Sequence, residues 1–178
     1  DARACRYNHD KYIVSFFKES GYEIDYYLST NDSEHKEWFL KEYNPVYANF
    51  DDYSNVNEDR TNIGVPTRSK RLLNALNACL KSNSKYDTIL AIRFDLLICK
   101  PMQNWSIDFD NFNILSMLER PKIKKLIDDN IYILNGIQLE NFISILSENQ
   151  NVSHHNIYGV FCKEFEKVNL MYNEGVCV

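Results

Sequence analysis

Alternating helical and extended segments predict an α/β fold for this chain, and three stretches carry that prediction. Residues 86–99 form a near-continuous apolar run, the mark of a strand covered on both faces. Leu139, Phe142, Ile143 and Leu146 recur at i, i+3, i+4 and i+7, one face of a helix. Ile157, Val160, Phe161 and Phe165 repeat the helical pattern, and an extended stretch over 168–172 follows.

The remaining elements follow in order. Tyr12, Ile13, Phe16 and Phe17 share a face of a helix over 9–19, with Gly21 as its stop. Residues 23–30 read as a strand ending at Asn31-Asp32, 33–43 as a short helix and 45–50 as a second strand. Residues 51–66 are polar and lack periodicity, as functional or mobile loops do. Thr67 can cap the next helix, whose Leu72, Leu73, Leu76, Cys79 and Leu80 make one apolar stripe. Residues 112–118 and 131–134 are further strands.

At 178 residues the chain holds one domain with a sizeable core. Aromatic residues make up 13%, which argues against disorder. A net charge of −5 disfavours nucleic acid as a partner. Five scattered cysteines without a CxxC pair read as reduced thiols of a cytosol-like compartment; the alternative is that some pair, although nothing in their spacing asks for it. No apolar run approaches the roughly 20 residues of a membrane span, and no signal peptide is visible, so the expected location is cytoplasmic. Sequons occur at Asn31, Asn104 and Asn151, but the chain is rich in Asn and chance explains them.

Arg93-Phe94-Asp95 interrupts the apolar run. A charged pair there is costly unless satisfied, and a period of two places Arg93 and Asp95 on one face. Two readings are open. The pair can be a structural ion pair near a strand end. Asp95 can instead be a metal ligand with Arg93 as its basic neighbour, at the strand end where open α/β sheets bind ligands. Carboxylate oxygen suits Mg2+ or Mn2+ and leaves coordination sites for phosphate. Arg68, Lys70 and Arg71 follow Thr67 near a helix start, where cations oppose the dipole. Either they hold an anion such as a diphosphate, or they form a solvated basic turn.

The segment Tyr86-Asp-Thr-Ile-Leu-Ala-Ile-Arg-Phe-Asp-Leu96 resembles the "yD.vi..R.Dl" stretch of small GT-A-type glycosyltransferases of large DNA viruses and bacterial polysaccharide clusters. Asp25-Tyr-Tyr-Leu-Ser-Thr-Asn-Asp32 is similar to their "DvfisTwd" strand, and Ile127-Asp-Asp-Asn-Ile-Tyr-Ile-Leu134 to their "i.D.f.ig" segment. The likeness spans roughly residues 3–172 in the expected order. It implies a GT-A-like fold with a mixed, mainly parallel central sheet flanked by helices. It also implies transfer of a sugar from a nucleoside diphosphate sugar, UDP-linked, to a hydroxyl of a glycan or protein acceptor.

Site roles follow from the resemblance. Asp95 holds Mn2+ or Mg2+ across the diphosphate, although Arg93 stands where the family's first acidic position lies. The nucleobase or ribose falls at Asn31 and Asp32, where the alternative is that Asp32 caps the following helix. Arg3, Arg68, Arg71 and Arg93 complete the nucleotide contacts. Asp128 and Asp129, the latter favoured, are candidates for the base that takes the acceptor's proton, against an ordinary polar turn. His154 and His155 are candidate late metal ligands, against a surface pair. Trp105 can stack on a sugar or cover the core edge.

The family's first strand is expected to be missing, since Asp1-Ala-Arg3 stands where that strand ends in a "G..R" turn. Asn-rich composition and the resemblance suggest a viral protein of the host cytoplasm. A nucleotidyltransferase would carry a Gly-rich loop near its start, and none appears. The rival from another class is a catalytically silent GT-A-like sugar-binding or interaction module.

Overall fold

The computed structural model describes residues 2–51, 64–82, 84–116, 131–150, 158–172 and 176–177. The chain is α/β, as its segment pattern predicts. Its order is α1 (Ala2–His9), a π-helical segment (Asp10–Val14), α2 (Ser15–Glu19), β1 (Tyr27–Asn31), α3 (Lys36–Tyr43), β2 (Tyr47–Asp51) and α4 (Gly64–Lys81). Then come β3 (Thr88–Ile92), β4 (Leu97–Ile98), a 3-10 turn (Met102–Asn104), β5 (Phe112–Ser116), β6 (Ile131–Asn135) and a second 3-10 turn (Gly136–Gln138). The chain continues through α5 (Leu139–Glu148), α6 (Tyr158–Glu164), β7 (Val168–Tyr172) and β8 (Val176–Cys177).

Two compact units divide these elements. One comprises residues 1–24, 86–138 and 152–178, the other 25–85 and 139–151.

In the first unit, four strands form a mixed sheet in the order β3-β6-β5-β7. The β3–β6 and β5–β6 pairs are antiparallel and β5–β7 is parallel. The resemblance led us to expect a mainly parallel central sheet. Among the described residues the strands instead lie in three sheets, and parallel pairing is confined to β5–β7 and β1–β2. The strand buried on both faces is β6, where Ile131, Tyr132, Ile133 and Leu134 are all at most 1% exposed. The expectation placed that role on residues 86–99. That run turns at Phe94-Asp95 and becomes the edge strand β3 plus the two-residue β4, which pairs antiparallel with β8. The charged pair is the physical reason: it leaves the sheet instead of entering it.

Period two on β6 separates two cores. Ile131 and Ile133 join Ile13, Phe17, Leu96, Ile98, Met102, Trp105 and Met171 in one cluster. Tyr132 meets Phe112 and Phe161, and Phe112 stacks on Phe165 with centroids 4.3 Å apart. The helical stripe that the sequence places on Phe161 and Phe165 is therefore the cover of that face. Trp105 is 6% exposed, and its Nε1 donates to the Lys100 carbonyl at 3.0 Å. The core reading of Trp105 holds.

The opening helix starts at Ala2, earlier than the expected residue 9, and contains a π segment that no periodicity announces. Its end follows the prediction. Gly21 sits at φ +85, Gly21 N donates to the Lys18 carbonyl and Tyr22 N to the Phe17 carbonyl, a Schellman closure. Tyr22 and Phe17 make the accompanying ring contact at 5.6 Å.

The second unit contains a β-α-β-α run. β1 and β2 pair in parallel with Tyr27 opposite Tyr47 and Asn31 opposite Asp51, and α3 connects them. Asn44, at φ 41, ends α3 ahead of Pro45. Helix α4 packs on both strands and on α5. Of the predicted stripe, Leu73, Leu76 and Cys79 are buried and Leu72 is half-buried, whereas Leu80, at the edge of that face, is 42% exposed. Leu139, Phe142, Ile143 and Leu146 are likewise buried in α5.

Candidate functional site

Parallel pairing brings the ends of β1 and β2 level, so Asn31 and Asp51 finish side by side. The Asp32 N–H donates to the Asp51 carbonyl at 2.9 Å, extending the ladder one step. Asn31 and Asp32 are both exposed at this carboxyl edge. The Asp32 carboxylate accepts from the Ser33 N–H at 3.1 Å. It does not cap α3, which begins at Lys36 with His35 at its N-cap position and no side-chain cap. Of the two readings of Asp32, the capping one is thus removed.

The basic cluster sits differently from expectation. Helix α4 starts at Gly64, so Thr67 lies within its first turn instead of capping it. Lys70 and Arg71 consequently stand nearly two turns along, where the dipole's N-terminal field has faded. Lys70 is exposed and Arg71 half-buried. Arg68 lies on the same helix by its backbone, and its side chain is outside the described residues.

In the first unit, Arg93 and Asp95 are side by side in the turn after β3. Arg93 Nε donates to Asp95 Oδ1 at 2.9 Å and Nη2 to Oδ2 at 2.5 Å, a two-pronged fork. The side chains are 38% and 65% exposed, so the pair is at the surface and not within a buried strand. Arg3 is an exposed residue of α1.

The residue following Asp95 is held by groups that sequence reasoning missed. His9, 5% exposed, lies with Nε2 at 2.7 Å from the Leu96 carbonyl. Burial pushes its pKa below the ordinary histidine value; the Leu96 hydrogen bond opposes that shift, and Arg6 adds to it. Asn8 makes both bonds an amide can offer to one residue. Its Nδ2 donates to the Ile98 carbonyl at 2.9 Å, and its Oδ1 accepts the Ile98 N–H at 2.6 Å. These two side chains fix the backbone after the Arg93–Asp95 turn. The only sequence signal was a polar Asn8-His9 pair leading into an apolar helix face.

Asp128, Asp129, His154 and His155 lie outside the described residues. Among the described residues no three His, Cys, Asp or Glu side chains gather as a metal-binding group. No described helix is long and apolar enough to cross a membrane.

One cysteine expectation is overturned. Cys5, Cys79 and Cys162 are free thiols, whereas Cys99, one residue beyond β4, is disulfide-bonded. The preferred reading as reduced thiols holds for those three and fails for Cys99, where the alternative of pairing applies. Sequence spacing concealed this because the β4–β8 pairing joins residues about 80 positions apart, with Leu97 opposite Cys177. No protein-family model matches this chain, and no curated protein matches it.

Proposed function

We propose that the chain is a GT-A-like glycosyltransferase acting on a nucleoside diphosphate sugar, UDP-linked, with a hydroxyl of a glycan or protein as acceptor. The observation that carries this reading is the level carboxyl edge of β1 and β2, where Asn31 and Asp32 stand exposed. Open α/β folds take nucleotides beyond such strand ends. Asn31 and Asp32 offer a carboxamide and a carboxylate for base and ribose hydrogen bonds, and Arg71 a guanidinium for phosphate.

Asp95 is the group that would hold Mn2+ or Mg2+. An exposed carboxylate fits an ion that takes one or two protein oxygens and completes its shell with phosphate and water. Such an ion would offset charge on the departing nucleotide. Arg93 adds a fixed cation beside the same carboxylate. Asp129, or Asp128, would accept the proton of the acceptor hydroxyl.

The Arg93 fork also favours a second reading. It occupies both Asp95 oxygens, as a purely structural pair in a silent sugar-binding or interaction module would. Calorimetric titration of nucleoside diphosphates and their sugars, with Mn2+ or with chelator, separates the two readings. A transferase shows binding that requires metal and is lost in Asp95→Ala, and Arg71→Ala weakens it about tenfold through the lost charge-assisted bond. Absence of binding to every nucleotide in both conditions would transfer support to the silent module.

A further inference from the structure

A groove in the second unit, at the opposite end of the strands from Asn31 and Asp32, has the make-up of a saccharide site. It has a volume of about 410 Å3 and is lined by Tyr47, Asn74, Asn77, Ala78 and Lys81. Tyr47 is the first residue of β2 and Lys81 the last of α4, which fixes its location at the amino end of β2. Positions 74, 77, 78 and 81 are spaced i, i+3, i+4 and i+7, so they form one stripe of the helix. The adjoining stripe of Leu73, Leu76 and Cys79 is buried and needs no further cover.

The groove's polar groups are poorly used by the protein itself. Among the described residues the side chains of Tyr47, Asn74 and Lys81 make no hydrogen bond, and Asn74 is half-buried. Asn77 Nδ2 donates to the Leu73 carbonyl at 2.8 Å, which leaves its Oδ1 as an acceptor. Asn49 lies two residues beyond Tyr47 on the same face of β2, opposite Ser29 of β1. Asn49 Nδ2 and Ser29 Oγ are buried with no hydrogen-bond partner among the described residues, beneath the groove and outside its lining.

The lining also sets the ligand class. Two carboxamides match adjacent hydroxyl groups, a phenol ring gives one flat apolar platform, and a single rim lysine adds a positive charge. The apolar surface consists of that ring and the Ala78 methyl, which is too little to anchor a hydrophobic peptide side chain. We infer that this groove binds a mono- or disaccharide unit, with an acidic sugar favoured by Lys81. The site is independent of the transferase reading and of nucleotide.

Saturation-transfer NMR on the full chain tests it, with a glucuronic acid-containing disaccharide and its neutral glucose counterpart as probes. The expected result is transfer to both sugars, stronger for the acidic one, with at least a tenfold loss of affinity in Asn74→Leu. Lys81→Gln should abolish the preference for the acidic sugar while neutral-sugar transfer persists. Thermal melting of both variants, unchanged from wild type, shows that they remain folded. Excess UDP with Mn2+ should leave the sugar signals in place, whether or not UDP itself binds. No transfer to either sugar, transfer indifferent to Asn74→Leu, or displacement by UDP would each overturn the inference.

Discussion

Among single residues, Asn113 shows most clearly how a polar side chain is kept in a core. It is fully buried, and its Oδ1 accepts from the Asp108 N–H and from Asn169 Nδ2, both at 2.8 Å. Its Nδ2 hydrogens are shared among the carbonyls of Asp108, Asn111 and Ile133. One amide thus joins the turn before β5 to β6 and β7. Asn113→Ala would strand several buried groups at once, and we expect a loss of about 3 kcal/mol in denaturant unfolding. A loss under about 1 kcal/mol would mean that water replaces the amide without cost. His9 makes a second prediction at this scale. Its folded pKa is lowered, chiefly by burial, so the folded state binds the proton less well than the unfolded chain. The corresponding stability is present above the ordinary histidine pKa and is lost as pH falls through the folded value. Melting temperature should therefore drop as pH is lowered from about 7 towards 5, and His9→Gln should flatten that slope. An unaltered slope in the variant would remove His9 as its source.

Elements were legible where local pattern and burial agree. The β7 span of Val168–Tyr172 matches its expected bounds, and the buried stripe of α5 matches its spacing because that helix has a single dominant apolar face. The error over residues 86–99 arose where composition hid a turn: apolar residues flank Arg93-Phe94-Asp95 so closely that two short strands read as one. Thr67 misled for a related reason. It is a good capping residue, but the helix gains another turn by starting at Gly64, with Pro66 tolerated that early. Of the candidate site, Asn31, Asp32 and the Arg93–Asp95 pair were visible as polar residues after apolar runs. Asn8 and His9 were not, since their partners are backbone groups about 90 residues away. The junction of β6 and α5 yields the prediction at this scale. Asn135 Oδ1 accepts the Ile137 N–H and Gln138 Oε1 accepts the Asn135 N–H, a capping box that was present in the sequence as Asn-Gly-Ile-Gln. Gly136 between them donates its N–H to the Asp87 carbonyl, and a Cβ there would lie 1.7 Å from the Tyr86 carbonyl oxygen. Backbone cannot yield as a flexible side chain can, so Gly136→Ala should cost about 3 kcal/mol and loosen the β3–β6 register. Wild-type stability in that variant would show that the approach of residue 86 is not maintained in solution.

For the molecule as a whole, the distribution of thiols bears on where it can be stable. A disulfide at Cys99 persists in oxidising surroundings and is opposed by the reducing cytosol, so it counts against the cytosol-like reading drawn from cysteine spacing. The three free thiols differ in their access to reagent. Cys162 is exposed, Cys5 is buried, and burial with the nearby Asp25 carboxylate pushes the Cys79 thiol up to about 11. A thiol-reactive probe should therefore label Cys162 promptly in the native protein and Cys79 far more slowly. In denaturant without reductant, Cys5, Cys79 and Cys162 should all react, and Cys99 only once reductant is added. Peptide mass mapping after each step reads the four positions separately. The same disulfide follows β4, a strand of only two residues that depends on β8, Asn8 and His9 for its place. Reduction should accordingly lower the melting temperature, by an amount equivalent to about 2–4 kcal/mol if the bond acts by restricting the unfolded chain. Labelling of Cys99 in denaturant alone would show that the bond is absent from the protein as purified. That outcome would restore the reduced, cytosol-like reading and leave β4 held by side-chain hydrogen bonds and its two-residue ladder.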